Sequence, residues 1–466
     1  MKILSIVLFF LTSLAPDAMA AGGGMDPQQL SLVWALPFVG ILLSLALLPI
    51  FKSRFWHHNY GKIGIFWALT TIIPMAWIFG PSVALHQVLH TYLLEYIPFI
   101  LVASVLYTIS GGIKVQLKYN GTPALNTAFL AVATFIASWI GTTGAAMLFI
   151  RPLLMINGWR EHRTHIVILF ILLVCNLGGS LTALGDPPLF LGFLQGVDFF
   201  WPLTNLMKPF LIVTLPVLGV FFVIDTIYYR KEDHSKIPQK EEGTTAISGK
   251  INLVLMGIVM ISVITSGYWK PGISFSVYGI DLQLQNVLRD LIFIALIILS
   301  MRWTKREIRE YNYFSWEPVL EVAKLFAVIF ITAMPVITML GAGEEGALSA
   351  IVSLVTKDGQ PLNEMYFWMT GMLSAFLDNA PTYLVFFHMA GGDAQQLMGP
   401  MAETLMAISA GAVFMGALSY IGNAPNFMVK AIAEINRIPM PSFFGYMAWS
   451  CGILLPLFAI MAWLVF

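Results

Sequence analysis

Two stretches of this chain follow nearly the same pattern 237 residues apart, and both interrupt otherwise apolar segments. Residues 181–190 and residues 418–427 both fit L-[ST]-x-[LI]-G-[DN]-x-P-x-F. A second pair of polar breaks, residues 138–148 and 374–384, lies upstream at an offset of 236. Gly and Pro at such points break a helix and free backbone groups that can bind an ion or a small molecule. The repeat therefore predicts two homologous halves, each with two broken apolar segments.

The composition places these halves in lipid. Of the 466 residues, 58% are hydrophobic and 11% charged, whereas soluble domains carry about 25% charged residues. We therefore expect an all-α integral membrane protein with the lipid bilayer as its surroundings. Lys plus Arg and Asp plus Glu balance at 25 each, and no nucleic-acid partner is expected. Cys175 and Cys451 lie in apolar segments and are interpreted as small buried hydrophobes.

Residues 1–20 have the pattern of a cleavable signal peptide. Lys2 provides the positive start, residues 3–14 the short apolar core, and residues 18–20 a small-residue cleavage site. An uncleaved signal anchor is the alternative. In either case the mature N-terminus is expected on the outer, periplasmic side of a bacterial-type inner (plasma) membrane.

Ten apolar segments are long enough to cross a bilayer, which takes about 20 helical residues. They are residues 32–50, 63–79, 91–110, 164–185, 207–229, 251–269, 287–303, 316–340, 401–423 and 441–465. Two further apolar segments, residues 123–150 and 364–390, have Gly or Pro near their middle and are too short for two crossings. We predict that both are re-entrant hairpins.

Positive charge tests this topology, because cytoplasmic loops carry an excess of Lys and Arg. With two hairpins, the cytoplasmic segments hold 19 basic residues: 51–62, 111–122, 151–163, 230–250, 302–315 and 429–440. The outer loops hold only Lys270 and Lys357, with Lys208 at a membrane edge. A single crossing at residues 123–150 would move two basic loops outside, so the hairpin model is favoured.

Five full crossings per half make the second half inverted relative to the first. We predict a first repeat at residues 30–229, a polar cytoplasmic linker at residues 230–250, and a second, inverted repeat at residues 251–466. Inverted repeats place the substrate site at their interface.

Two acids occur at the breaks. Asp186 lies between Gly185 and two prolines, and Asp378 begins a short polar run at the second hairpin tip. A carboxylate inside a membrane is costly and normally faces a cavity. The alternatives are purely structural: Asp186 caps a loop, and the second hairpin tip binds no ion. We expect Asp378 to be the exchanging carboxylate, with Asp186 as the second acid of a Na⁺ site.

The remaining candidates supply hydroxyl, amide or backbone groups at the same four breaks. Each of these residues alone is weak evidence for a binding site, since such side chains often form a hydrogen bond only with the neighbouring backbone. The predicted cation- or substrate-binding residues are Thr142, Thr143, Asn176, Thr182, Gly185, Asp186, Asp378, Asn379, Thr382, Ser419, Gly422, Asn423 and Asn426. The histidines of the basic loops, including His162 and His165, are expected to be solvated.

Residues 176–188, 377–382 and 422–426 resemble the motifs of the ion transporter superfamily. That group includes NhaD-type sodium/proton antiporters, citrate transporters, divalent-anion/sodium symporters and arsenite efflux pumps. The resemblance covers residues 30–466 and implies paired hairpins and broken spans. The Asp-Asn-x-Pro sequence at Asp378 is most similar to the antiporter and arsenite branches. The hairpin tips depart from the Ser-Asn-Thr pattern of the dicarboxylate symporters, and the two prolines after Asp186 depart from the NhaD pattern.

The leading functional prediction is Na⁺/H⁺ exchange on intramembrane carboxylates. Alternatives are Na⁺- or H⁺-coupled transport of citrate or a related carboxylate, and arsenite efflux. An intramembrane aspartyl protease needs two membrane aspartates but gives no reason for a chain-wide repeat. No cofactor and no enzymatic activity are expected, with Na⁺ and H⁺ as transported or coupling ions. A homodimer remains open.

Overall fold

The computed structural model describes residues 25–238, 246–357 and 359–466. The predicted signal peptide at residues 1–20 therefore lies outside the described residues. The structure is 75% helical and has almost no sheet.

The first half is a series of ten α-helices in the described part of the chain. They are α1 (Leu36–Phe51), α2 (Ser53–Ile78), α3 (Pro81–Thr91), α4 (Ile97–Ser110), α5 (Pro123–Ile140), α6 (Thr142–Ile156), α7 (Thr164–Leu173), α8 (Pro187–Leu194), α9 (Trp201–Asn205) and α10 (Met207–Tyr229). A π-helical turn, Tyr92–Tyr96, joins α3 to α4.

The second half continues with eleven described α-helices. They are α11 (Ile251–Tyr268), α12 (Leu284–Trp303), α13 (Arg306–Tyr311), α14 (Glu317–Gly341), α15 (Ser349–Val355), α16 (Asn363–Phe376), α17 (Asn379–Met389), α18 (Ala394–Met398), α19 (Ala402–Met415), α20 (Ala424–Ile435) and α21 (Phe443–Val465).

The strands form three antiparallel pairs outside the long helices. They are β1 (Lys114–Gln116) with β2 (Ala246–Ser248), β3 (Ser274–Val277) with β4 (Ile280–Gln283), and β5 (Thr356–Lys357) with β6 (Gln360–Pro361). The first pair joins a loop of the first half to the segment that links the halves.

Nine helical segments of the described chain are long and apolar enough to cross a membrane. This confirms the prediction of an all-α membrane protein. Eight of the nine coincide with predicted full spans, and the ninth is α5, the first arm of the first predicted hairpin. The two predicted broken spans are discontinuous: α7 and α8 are separated by an unwound segment, as are α19 and α20.

The first hairpin begins and ends at the same end of the molecule. Thr122 caps α5, since its hydroxyl accepts the Leu125 N–H, and Pro123 occupies the first helical position. At the tip, Gly141 has φ +81°, a left-handed conformation that favours glycine, and the chain reverses there. At the base, the Gly121 N–H donates to the Ile156 carbonyl at 2.7 Å.

The second hairpin consists of α16 and α17, which pack against each other. The rings of Tyr366 and Phe386 meet edge to face, with their centroids 6.3 Å apart. Ser374 Oγ donates to the Ala412 carbonyl at 2.6 Å, which fixes this hairpin to the second broken span.

Four of the six basic segments meet at one end of the bundle, and the β1–β2 pair joins two of them. Asn312 donates to the Gly111 and Ile113 carbonyls, which joins two of them. Glu232 accepts the Glu161 and His162 N–H groups at 2.8 Å, which joins two more. This grouping is what the two-hairpin topology requires. The repeat boundaries and the cytoplasmic location of this end stay predictions.

A buried ionic cluster fixes the base of the first hairpin to α10. Asp225 accepts hydrogen bonds from Arg160 at 2.5 Å and from Asn126 at 2.9 Å, and His165 Nε2 lies 2.8 Å from its carboxylate. The side chains of Arg160 and Asp225 are fully buried. The expectation that His165 is solvated is therefore wrong, because its ring is buried between this acid and the Tyr228 ring.

Replacing Asp225 should destabilise the protein strongly. Asp225→Ala leaves the Arg160 guanidinium buried without its partner, which typically costs about 3–5 kcal/mol. The expected result is a clear fall in the unfolding temperature of the purified protein in detergent. The matched control is Glu310→Ala, which removes the exposed Arg306–Glu310 pair and should change little. Equal effects of the two substitutions would contradict this role.

The topology predicts that Ser235 and Gly359 lie on opposite sides of the membrane. Ser235 is at the basic end, and Gly359 is at the turn between β5 and β6. Single cysteines at these positions should react with a membrane-impermeant reagent from opposite sides of sealed vesicles. Reaction of both from the same side would exclude the two-hairpin topology.

Candidate functional site

The two broken spans end and restart at matching positions of the repeat. The helix α8 begins at Pro187 directly after Asp186, and α20 begins at Ala424 directly after Asn423. Proline suits the first turn of a helix, where its missing N–H has no intrahelical acceptor. The Gly-[DN]-x-P motif therefore ends the unwound segment and starts the second half-helix in both repeats.

Glycine pairs close both unwound segments. A Cβ on Gly185 would lie 2.2 Å from the Gly179 carbonyl oxygen, and one on Gly422 would lie 2.6 Å from the Gly416 oxygen. The two pairs are equivalent in the repeat. Gly185 and Gly422 are thus required for close backbone packing. From the sequence alone, this role could not be distinguished from a role in binding.

Two equivalent hydroxyls fix each unwound segment to the hairpin of its own repeat. Thr182 Oγ1 donates to the Ser138 carbonyl, and Ser419 Oγ donates to the Ala375 carbonyl. The hydroxyl of Thr382 donates to the Asp378 carbonyl inside the second hairpin at 3.0 Å. These three predicted site residues hold the backbone in place.

The hairpin tips align at an offset of 237, so the offset of 236 predicted from the sequence is wrong. The second arm begins at Thr142 in the first repeat and at Asn379 in the second. Thr142 is therefore equivalent to Asn379, and Asp378 is equivalent to the tip residue Gly141. One period now relates both hairpins and both broken spans.

Asp186 is the point at which the two repeats meet. Its carboxylate accepts hydrogen bonds from Thr142 Oγ1 at 2.6 Å, from Asn423 Nδ2 at 3.0 Å, and from the Asn379 amide. Its donors come from both hairpin tips and from the second broken span. The side chain of Asp186 is buried, with 2% of its surface exposed.

Asp378 has a different environment. Its carboxylate accepts the Ala380 N–H at 3.1 Å and so caps α17. Asp186, and not the predicted exchanging carboxylate Asp378, is therefore the acid that accepts hydrogen bonds from both repeats. Both acids nevertheless line the same cavity.

Asn176 and Asn426 connect the two broken spans. Asn176 Nδ2 donates to Asn426 Oδ1 at 2.8 Å, and Asn426 Nδ2 donates to the Gly416 and Ser419 carbonyls at 2.9 Å. Neither asparagine lines the cavity. They stabilise the crossing of the unwound segments.

A cavity of about 120 Å³ lies beside Asp186. The predicted site residues that line it are Thr142, Thr143, Gly185, Asp186, Asp378 and Asn423. The opposite wall comes from α4 and α14 and is apolar, including the stacked rings of Phe99 and Phe326. No Lys, Arg or His occurs among the described residues that line it. The four breaks predicted from the sequence thus converge on one mostly apolar cavity.

Four helices begin at this cavity. The residues that precede α6, α8, α17 and α20 are Gly141, Asp186, Asp378 and Asn423, and all of them line it. Helix N-termini carry partial positive charge, which favours negative groups. Asp186 and Asp378 are placed at two of these ends, so their carboxylates are stabilised without a basic side chain.

Sequence reasoning missed the apolar wall and the buried Asp225 cluster. Phe99 and Phe326 have no pattern that distinguishes them from other apolar residues of their helices. The Asp225 cluster could have been suspected from the sequence, because an acid inside an apolar segment is unusual.

A family model described as "Putative citrate transport" matches residues 27–466, nearly the whole chain. That family is part of the ion transporter superfamily, which confirms the resemblance found in the motifs. No curated protein matches the chain.

The glycine pairs lead to a prediction. Gly185→Ala and Gly422→Ala should each lower the unfolding temperature, because the added methyl group collides with backbone that cannot move aside. Gly257→Ala, at a helical position with no atom within 4 Å of the added carbon, is the control and should be neutral or stabilising. Both effects can be measured by thermal unfolding in detergent. Normal stability of both site variants would show that the unwound segments tolerate a side chain.

Proposed function

The chain belongs to this citrate-transport family of secondary transporters, and we propose that it exchanges Na⁺ for protons at the Asp186 carboxylate. The observation that carries the proposal is the position of Asp186. It is a buried acid held by donors from both repeats, and no basic residue among the described residues lines its cavity.

A buried carboxylate without a basic partner needs a cation or a proton to offset its charge. Asp186 and Asp378 provide two such groups at one cavity. Asn379, which donates to Asp186 from behind the cavity lining, has a buried Oδ1 with no partner among the described residues. Carboxylate and amide oxygens suit a hard cation such as Na⁺.

Exchange follows from competition at one group. When Asp186 holds a proton, its charge is neutralised and Na⁺ loses its main attraction. When Na⁺ binds, the proton must leave. If the hairpins and broken spans carry this site between the two membrane faces, one ion is moved out for each return of the other.

Coupled citrate transport is the second candidate, and two observations favour it. The family description names citrate, and four helix N-termini at the cavity favour a bound anion. In this alternative the cation at Asp186 is the coupling ion. The two acids at the cavity oppose a multiply charged anion, so we place exchange first.

Reconstitution separates these functions. Liposomes that contain the protein and an internal pH dye should show proton movement when a Na⁺ gradient is imposed. Asp186→Asn should abolish that movement, because the amide keeps the shape but has neither the negative charge that attracts Na⁺ nor an exchangeable proton. Lowering the pH should raise the apparent KM for Na⁺ in the wild type, since protons compete for the carboxylate.

The control is Asp281→Asn, which changes an exposed acid on β4 and should leave the flux unchanged. Asp378→Asn should raise the KM for Na⁺ and reduce the flux less than Asp186→Asn does. Wild-type flux in Asp186→Asn would remove Asp186 from the mechanism. Uptake of labelled citrate without Na⁺-driven proton movement would favour the second candidate.

A further inference from the structure

A second cavity, of about 410 Å³, lies at the basic end of the bundle. Its walls come from the base of the first hairpin, from the loop around α13, and from the end of α20. The volume falls within the range of about 300–1,000 Å³ typical of small-molecule sites. None of the predicted site residues lines it.

Two guanidinium groups line this cavity without an acidic partner. Among the residues that the structure describes, neither Arg151 nor Arg163 has a carboxylate within 4.0 Å. The Nε atoms of both side chains are buried and lack a hydrogen-bond acceptor. Burial lowers the pKa of the Arg163 guanidinium, although Glu232 opposes this from a longer distance. Buried N–H donors normally have a partner, so each of these half-buried side chains leaves one buried donor unsatisfied by the described residues.

The other charges around the cavity leave it positive. Lys114 lies over the Tyr311 ring, with its Nζ 4.1 Å from the ring centroid. The acid that lines the cavity, Glu310, is already paired with Arg306 at 2.7 Å. Asn436 adds an uncharged amide.

Two helix ends shape the wall of the cavity. Tyr313 and Arg437 have φ 48° and 58°, because each is the left-handed residue that closes the end of a helix, α13 and α20. The Tyr313 ring stacks on the Arg151 guanidinium, 3.9 Å from the ring centroid.

We propose that this cavity binds a small anion with two or more carboxylate or phosphate groups, held by Arg151 and Arg163. Guanidinium groups form paired hydrogen bonds with both kinds of oxyanion. Tyr313 stacks on Arg151 and keeps its donors directed to the cavity. The site is separate from the cavity at Asp186, and it does not depend on Na⁺/H⁺ exchange.

The position of the cavity gives the anion a regulatory effect. Its walls combine the first hairpin and α20 with the loop that joins α12 to α14. A ligand that contacts all three elements stabilises the arrangement seen here relative to any other. Binding should therefore also raise the unfolding temperature.

Titration calorimetry on the full-length protein in detergent tests the proposal, with citrate and with pyrophosphate as separate probes. Wild-type protein should bind at least one of them. Arg163→Gln should weaken binding roughly tenfold or more, since charge-assisted hydrogen bonds are lost. Arg163→Lys keeps the charge but not the paired geometry, and its affinity should be intermediate. Arg151→Gln should weaken binding similarly.

Two controls locate the site. Arg302→Gln changes an exposed arginine that does not line the cavity, and this variant should bind as the wild type does. Asp186→Asn should also bind normally, because the transport cavity is elsewhere. Each protein must show a single peak in gel filtration. Arg163→Gln is the safest variant, because Arg163 forms no salt bridge within 4.0 Å among the residues that the structure describes.

Several outcomes would overturn the proposal. They are no binding of either probe by the wild type at millimolar concentration, unchanged affinity in both Arg151→Gln and Arg163→Gln, and loss of binding in Asp186→Asn. A fourth is binding of phosphatidylglycerol micelles, but of neither soluble anion, in the same titration. That result would identify a lipid headgroup as the ligand.

Discussion

The carboxylate of Asp186 joins the two halves of this protein. It accepts hydrogen bonds from the first hairpin tip, the second hairpin tip and the second broken span, through Thr142, Asn379 and Asn423. A buried acid needs such donors to be tolerated at all. The four breaks thus converge on one acidic group.

The local structure around Asp186 serves to present it without a basic partner. The glycine pairs let the unwound segments pack backbone to backbone, and Thr182 and Ser419 fix them to their hairpins. Four helices can then begin at one cavity, and their N-termini stabilise negative charge. A basic side chain would neutralise the acid permanently. Helix N-termini leave it free to bind a cation or a proton.

Much of the fold could be predicted, because Gly, Pro and Lys/Arg positions fix where helices break and where loops lie. The roles of individual residues could not be predicted. A period shows which positions are equivalent, but not which of the two acids accepts hydrogen bonds from both repeats, so the sequence assigned the exchange to Asp378. The predicted offset between the two hairpins was wrong by one residue. It was taken from Ser138 and Ser374, which are 236 residues apart, whereas the second arms of the hairpins begin 237 residues apart. His165 was expected in solvent because Asp225, its buried partner, is 60 residues away in sequence.

The central claim is that Na⁺ and a proton compete for the Asp186 carboxylate. The most direct measurement is proton release when Na⁺ is added to the purified protein in weakly buffered detergent solution. The account predicts that the wild type releases protons as Na⁺ binds, and that Asp186→Asn releases none. Sodium binding by the wild type without proton release, or the same release from Asp186→Asn, would contradict it.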